Sequence, residues 1–439
     1  MEYTSLPILL SEDGDKALQI YKFILDEINS SKLVAGDKLP SIRRLCESLN
    51  ISKKIVESAY AMLLDEGWLS SVPGRGYFVS DVGGRLKLSG NENYFITKRE
   101  PMPYHMIDLP GIQKMVDTTL KELRQEVYNT PFIGYDEWIT DRLKICISKF
   151  LYEFRGMVVD PEDIYITSSI QNLSELIYVN YNKKIKITME DPCSKLYKYI
   201  TDNLLVEVAY VNMTDDGIDV SSIPEDTDIL CIQPGCQFPT ASITSDEKMK
   251  AIVDWAREKD NRYIIETTFH TEMNYIKSKN KFIYDLAPDK VIYVCSFAFF
   301  LSDGFKFTYA ILPKTINRPR SIPNVDYLNM RFYSIAMNNG SIVKYCGNIW
   351  KESKKKRDLI IQELKERNIK YKGGTAGYFI VLDVDEKRDM ILERASEIGI
   401  KIIPISEYYY HKTTDNRLVM DFSLIPLDKI EQYMKYLLD

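Results

Sequence analysis

Apolar residues recur with a helical period from residue 16 onward: Leu18, Tyr21, Ile24, Leu25 and Ile28 fall on one side of a helix and predict a single buried stripe. Ala35-Gly36-Asp37 then calls for a turn. Ser41, behind Pro40, has the chemistry of an N-cap, because its hydroxyl can accept one of the backbone N–H groups that the first turn leaves unpaired. The short helix that follows turns Leu45 and Leu49 inward, leaves Arg43 and Arg44 on other faces, and closes at Asn50. Ser52 caps a third helix. Its Val56, Ala59, Tyr60 and Leu63 form the next stripe, and Gly67 stands where a helix C-terminus favours a left-handed residue. Strands over 68–72 and 77–79 then flank Pro73-Gly74-Arg75-Gly76, a tight turn. Residues 1–80 thus read as three helices and a hairpin, a winged helix-turn-helix.

No period survives between 81 and 106, which reads as a polar linker. Beyond it, helical patterns such as 138–153 and 246–259 alternate with short apolar runs at 164–167, 185–188, 229–232, 263–265, 291–295 and 309–312. Strands alternating with helices predict a mainly parallel sheet covered on both faces. The tail reads as helix from about 340, a strand over 377–382, a helix near 385–398 and a strand over 417–422. The expected architecture is therefore α/β: a winged helix-turn-helix, a linker, and a domain over 107–439 with a mainly parallel sheet and a C-terminal α+β subdomain.

Charge changes this picture locally. The 439 residues carry a net charge of −6, so the chain as a whole is no polycation. Between 32 and 54, however, Lys32, Lys38, Arg43, Arg44, Lys53 and Lys54 stand against Asp37 and Glu47, an excess of +4 where phosphates would lie. Seven cysteines without a CxxC pair, and three histidines, argue for reduced thiols and against a disulfide framework or a zinc site; Cys236 and Cys295 read as inert core thiols. With no basic leader and no apolar run near the roughly 18 residues of a membrane span, a cytoplasmic protein without a membrane partner is expected.

Two short helices, a tight turn and a β-wing form the unit that places one helix in a major groove. Ser41, Arg43, Arg44, Ser52, Lys53, Lys54 and the wing tip Gly74-Arg75-Gly76 are the candidate contacts to a double-stranded operator. Leu39-Pro40-Ser41, Arg43, Gly67 and Pro73-Gly74-Arg75-Gly76-Tyr77-Phe78-Val79 give this stretch its specific character, and it resembles the winged-helix domain of the GntR superfamily almost end to end. The resemblance implies DNA contacts at Arg43, Ser52, Lys53, Lys54 and the wing around Arg75. Glu57 stands where some members of that superfamily carry a DNA-reading arginine.

The rest of the chain carries a collinear series: Gly134-Tyr135, Arg142 to Arg155-Gly156, Ile166-Thr167-Ser168-Ser169-Ile170-Gln171, Glu190-Asp191-Pro192, Gln237-Phe238-Pro239-Thr240, Glu266 to Tyr275, and Gly304 to Tyr309. Over most of 107–437 this resembles a fold-type I aminotransferase domain, joined to a winged helix as in the MocR-type regulators. Such enzymes need a lysine for the aldimine of pyridoxal phosphate (PLP) and an acid at the pyridine nitrogen. The resemblance places the lysine at Phe299, the aspartate and tyrosine at Thr268 and Phe269, the aromatic after the proline at Ser194, the phosphate-cup arginine at Lys306, and a carboxylate-binding arginine near Val419, two residues from Arg417. Five departures aimed at one cofactor predict that no PLP is bound, that the chain has no catalytic residues, and that it is not an enzyme. Ser168, Ser169, Gln171, Ser194, Gln237, Thr268, Phe269, Phe299, Lys306 and Arg417 remain as candidates to line an effector cleft. The expected protein is a homodimeric regulator with a possible small-molecule effector. A PLP-dependent enzyme with an accessory DNA-binding domain, and a constitutive DNA-binding dimer, are the alternatives.

Overall fold

The computed structural model describes the chain apart from residues 1–2, 4–5, 9, 12–14, 31, 73, 81–108, 128–136, 170–171, 182–183, 196, 198–205, 269–272, 276–281, 298–306, 319–324 and 385–386. It divides into two compact units, Met1–Glu100 and Pro101–Asp439. The expected linker over 81–106 lies outside the described residues.

In the first unit, α1 (Lys16–Asn29) starts at Asp15, whose carboxylate accepts Ala17 N–H at 2.8 Å. Its buried stripe is Ala17, Ile20, Tyr21, Ile24 and Leu25, with Ile28 packed beside it. Leu18, expected inside, is 40% exposed: one step along a helix turns the side chain by about a hundred degrees, which takes position 18 off the face shared by 17, 20, 21 and 24. Helix α2 (Ile42–Leu49) has Ser41 as its cap and Asn50, at φ 51°, as its left-handed end. Helix α3 (Lys53–Asp65) buries Val56, Ala59, Tyr60 and Leu63, the four residues of the predicted stripe. Tyr60 fixes α3 to the segment before α2, its hydroxyl donating to Pro40 O at 2.8 Å. Strands β1 (Leu69–Val72) and β2 (Gly76–Val79) pair antiparallel. Residues 37–39 add a third short edge: Leu39 N donates to Tyr77 O, and Val79 N to Asp37 O.

The second unit begins with α4 (Leu109–Val127) and α5 (Glu137–Arg155). Its larger sheet contains β3 (Ile164–Thr167), β4 (Lys186–Asp191), β5 (Glu207–Thr214), β6 (Gly217–Ile218), β7 (Ile229–Ile232), β8 (Tyr263–Thr267), β9 (Val291–Ser296) and β10 (Thr308–Ile311), in the order β3-β10-β9-β8-β7-β4-β5-β6. The run from β5 to β9 is parallel, and β10 inserts antiparallel between β9 and β3. Strand β5 escapes the apolar-run pattern: EVAYVNMT is mostly half-exposed and lacks the dense apolar run of its neighbours.

Alternation sorts the side chains onto two faces. On β8, Ile264 enters the larger core with Leu230, Tyr293 and Tyr309, whereas Tyr263 and Ile265 enter a smaller core with Cys231, Val294 and Ala310. Helix α6 (Leu173–Asn180) belongs to the smaller core, and α7 (Asp246–Arg257) and α5 cover the larger one. The chain then runs through α8 (Ile283–Leu286), α9 (Tyr327–Asn338) and α10 (Ser341–Glu366) into an antiparallel sheet of β11 (Lys370–Gly373), β12 (Phe379–Asp383), β13 (Ile402–Pro404) and β14 (Leu418–Asp421), ordered β11-β12-β14-β13, with α11 (Arg388–Glu397) and α12 (Ile430–Leu438). The short strands β11 and β13 add to the predicted α+β subdomain.

Candidate nucleic-acid interface and effector cleft

The exposed side of α3 presents Lys53, Lys54, Glu57, Ser58 and Ala61 opposite the buried stripe. Two predicted cations are already engaged: Arg43 Nε meets Glu47 at 2.9 Å and Lys53 Nζ meets Glu57 at 2.8 Å, each one helical turn apart. Lys32 is likewise paired with Glu27 at 2.8 Å. The excess of charge counted along the sequence is therefore reduced by Glu27 and Glu57, which lie just outside the window of 32–54. Arg44, Lys54 and Arg75 are exposed and have no ion pair among the described residues. Arg75 sits on the wing turn, its N–H bonded to Val72 O at 2.9 Å and its guanidinium 5.9 Å from the Phe78 ring. Gly74 and Gly76, at φ 74° and 107°, supply the backbone that this tip requires.

The two serines differ. Ser41 Oγ accepts Arg44 N–H at 3.3 Å and closes the first turn of α2. Ser52 has the backbone of a cap, but its hydroxyl makes no capping bond; Ile55 N donates to the Ser52 carbonyl instead. Capping by the Ser52 side chain is thus a correction to the sequence reading.

In the second unit, the carboxyl ends of β3, β4, β7, β8 and β9 line one edge of the sheet, where ligands of open α/β sheets sit. On the face of the smaller core, Thr167, Thr308 and Ser296 lie in register across β3, β10 and β9, and Thr308 Oγ1 is 3.0 Å from Ser296 Oγ. Thr267, paired with Val294 two residues before Ser296, lies on the same face and hydrogen-bonds Tyr197, whose N–H donates to Ser194 O. Ser169 is beside the row, with its hydroxyl given to Asn172 at 2.9 Å; Ser168 follows β3 at the same edge. Gln237 is buried in a network of its own, donating to Pro192 O at 2.7 Å and to Glu190 at 3.3 Å while accepting from Thr240.

Thr268 does not join this row. It lies on the opposite face, with its hydroxyl near Tyr293 Oη at 3.2 Å and Arg155 Nη1 at 3.4 Å. One residue along a strand reverses the side chain, so the threonine that shares a face with Tyr197 is Thr267. Arg417 is also held elsewhere, bidentate on Asp415 at 2.9 and 2.6 Å, and Val419 is packed in an apolar cluster with Val381 and Cys236. Gln171, Phe269, Phe299 and Lys306 lie outside the described residues.

Sequence reasoning carried Thr167, Thr267, Thr308 and Arg155 within its motif stretches without assigning them to the site, and it gave Tyr197 and Ser296 no role. The Arg155 guanidinium ends α5 with Nη2 3.5 Å from Cys295 Sγ and lies 5.6 Å from the Tyr293 ring, so Cys295 does have a cation beside it. Cys236 has an apolar setting, where burial pushes its thiol up to about 12. Burial likewise raises Glu190 and Glu266 to about 8, although Glu266 accepts the N–H groups of Ile283 and Tyr284 at 3.1 and 2.8 Å. Asp191 accepts Tyr410 N–H at 2.9 Å and lies 2.7 Å from His411 Nδ1. The described part of this edge is therefore a surface of hydroxyls and amides whose carboxylates are already committed to the protein. Among the described residues there is also no cluster of His, Cys, Asp and Glu able to hold a metal ion.

The sequence matches the family of bacterial regulatory proteins named gntR over residues 16–79, from the start of α1 to the end of β2. The first unit is a GntR-type helix-turn-helix domain. Such a domain binds DNA. The whole chain is similar to the HTH-type transcriptional regulator YdeL of Bacillus subtilis, 23% identical over 95% of each chain. It is similar as well to the pyridoxine biosynthesis transcriptional regulator PdxR of Corynebacterium glutamicum, 24% identical over 96% of this chain and 92% of the relative. An archaeal alanine:glyoxylate aminotransferase superposes on 76% of the chain, and on 86% of its own, with a TM-score of 0.62 at 19% identity. The second unit therefore has the fold-type I aminotransferase-like fold, behind a GntR-type domain, and the likenesses favour a regulator over an enzyme. Among the described residues no helix is long and apolar enough to cross a membrane.

Proposed function

We propose that the chain is a cytoplasmic DNA-binding transcriptional regulator that acts as a homodimer, and that its aminotransferase-like unit responds to a small effector without PLP chemistry. The observation that carries this reading is the pairing of a GntR-type domain with an aminotransferase-like unit; the resemblance that places Phe299 where such enzymes carry their lysine is the ground for proposing that PLP chemistry is absent. The hydroxyls of Thr167, Thr308 and Ser296 in register and of Thr267 on the same face, together with Ser168, Ser169 and Ser194, support a polar ligand at the strand ends, and Lys306 is the cation the sequence supplies for its anionic group. A two-fold protein suits a symmetric operator.

The deciding experiment is a duplex selected by the purified protein from a random library, followed by binding with and without candidate metabolites. Ligand-dependent affinity supports sensing; affinity indifferent to every ligand favours the constitutive dimer. Sedimentation that finds only monomer at micromolar concentration, with and without the duplex, refutes dimerisation. A native mass spectrum with PLP on a lysine, lost when that lysine is changed, refutes the absence of PLP chemistry.

A further inference from the structure

We infer that Glu57 is a base-reading residue: with Lys53 it forms a paired acceptor and donor that recognises a C·G base pair in the major groove. The inference rests on the reading of the first unit as a DNA-binding domain and deepens it from affinity to sequence choice.

In a helix-turn-helix unit the early residues of the second helix meet base edges. Along α3 these are Lys53, Lys54, Glu57, Ser58 and Ala61, all exposed, and Glu57 is the one carboxylate in the first three turns. A carboxylate there is unfavourable beside phosphates, which are acceptors and negatively charged. What a carboxylate can accept from in the groove is an amino group, and cytosine N4 is the base edge that acidic side chains pair with. The pair partner of that cytosine presents guanine O6 and N7, both acceptors suited to a lysine.

The geometry matches this pattern. Lys53 Nζ lies 2.8 Å from Glu57 Oε1, with the two side chains 75% and 45% exposed, so acceptor and donor stand side by side on the outer surface of the helix. The ion pair holds the carboxylate against the ammonium, and both retain further hydrogen-bonding capacity, since a carboxylate has about four lone-pair sites and an ammonium three donors. A C·G pair offers the complementary donor and acceptors. Gln at position 57 would instead match adenine N6 and N7.

The test uses the full chain and duplexes with a randomised core. Wild-type protein, Glu57→Gln, Glu57→Ala, Lys53→Ala and, as a control for phosphate binding, Lys54→Ala are each taken through selection, and affinities are then measured on the wild-type consensus with every single base-pair change. The expected wild-type preference for C·G at one position of each half-site is on the order of ten-fold. Glu57→Ala should lose it while binding unselected duplex more tightly, Lys53→Ala should weaken it, and Glu57→Gln should move it to A·T at that position alone. A uniform gain of affinity on all sequences, with the consensus unchanged, would show that Glu57 merely offsets charge and would overturn the inference. If the wild-type protein selects no sequence and Lys54→Ala binds as wild type does, the DNA-binding reading falls as well. Retained circular dichroism and melting temperature in each variant exclude misfolding, and preservation of the C·G preference in well-folded Glu57→Ala refutes the role.

Discussion

Lys54 is the sharpest probe of the nucleic-acid face, because it is exposed in the first turn of α3 and has no ion pair among the described residues. Replacing it by alanine removes one full cation from the exposed face of α3 without exposing core. Removing one cation from one phosphate should flatten the slope of log K against log salt by about 0.9. Over a four-fold rise in salt, from about 50 to 200 mM, one such cation accounts for about 3.5-fold in affinity, and two copies on one operator for about 12-fold. Lys53→Ala should flatten the slope less, since Lys53 already shares its charge with Glu57 at 2.8 Å and frees that carboxylate when removed. The assay is fluorescence anisotropy with a labelled duplex at three or more salt concentrations, wild type beside Lys54→Ala, Arg44→Ala and Lys53→Ala. Lines for Lys54→Ala and Arg44→Ala that superimpose on wild type would remove this surface from the interface.

Tyr60→Phe deletes the hydroxyl that α3 gives to Pro40 O, and should destabilise the first unit by about 1 kcal/mol, read by hydrogen exchange of α3 amides in the full chain; wild-type protection would contradict it. Glu266 keeps its proton in the fold up to about pH 8 because it is buried, whereas the unfolded chain releases it near 4.5. Between these values the fold binds the extra proton, so this group's contribution falls as pH rises. Glu266→Gln should therefore gain on wild type from pH 5 to 8, by at most about 1.4 kcal/mol per pH unit, in urea midpoints; a difference independent of pH refutes it. Phe299→Lys alone should not restore transamination, since the resemblance places Thr268 and Phe269 where the enzymes carry an acid and a phenol; turnover of an amino acid by that single variant, followed by keto-acid release, would refute the argument.

The first unit was almost fully legible because its signals are local. Ser41 marks a helix start through its hydroxyl, Asn50 and Gly67 mark helix ends through left-handed backbone that few other residues adopt so readily, and the stripe 56, 59, 60, 63 admits one helical face. Leu18 shows the limit: beside Ala17 and Ile20, a larger apolar residue drew the stripe onto the wrong flank, although a small alanine was the buried one. The charge count erred for a related reason. Glu57 cancels Lys53 only because one helical turn brings the two together, a relation that a sum over 32–54 leaves out.

The edge formed by the strand ends was legible as a place and not as a set of contacts. Strand ends can be found from apolar runs, yet which face a residue takes depends on parity, and two adjacent threonines at the end of β8 give the sequence nothing to choose by. The structure separates them: Ile265 and Thr267 share the face of Tyr197, while Ile264, Glu266 and Thr268 share that of Arg155. The hydroxyl row was invisible for a stronger reason, since Thr167, Ser296 and Thr308 are far apart in sequence and meet only because β10 returns antiparallel between β3 and β9. A polar residue at one strand end is unremarkable; three in register across neighbouring strands, with none of them exposed, form a surface that must satisfy its hydrogen bonds internally or with a ligand. For that reason double substitutions, Thr308→Val with Ser296→Ala, should separate the two cases: a fold indifferent to the change but deaf to its effector assigns the row to ligand binding, and a destabilised fold with intact response assigns it to the sheet.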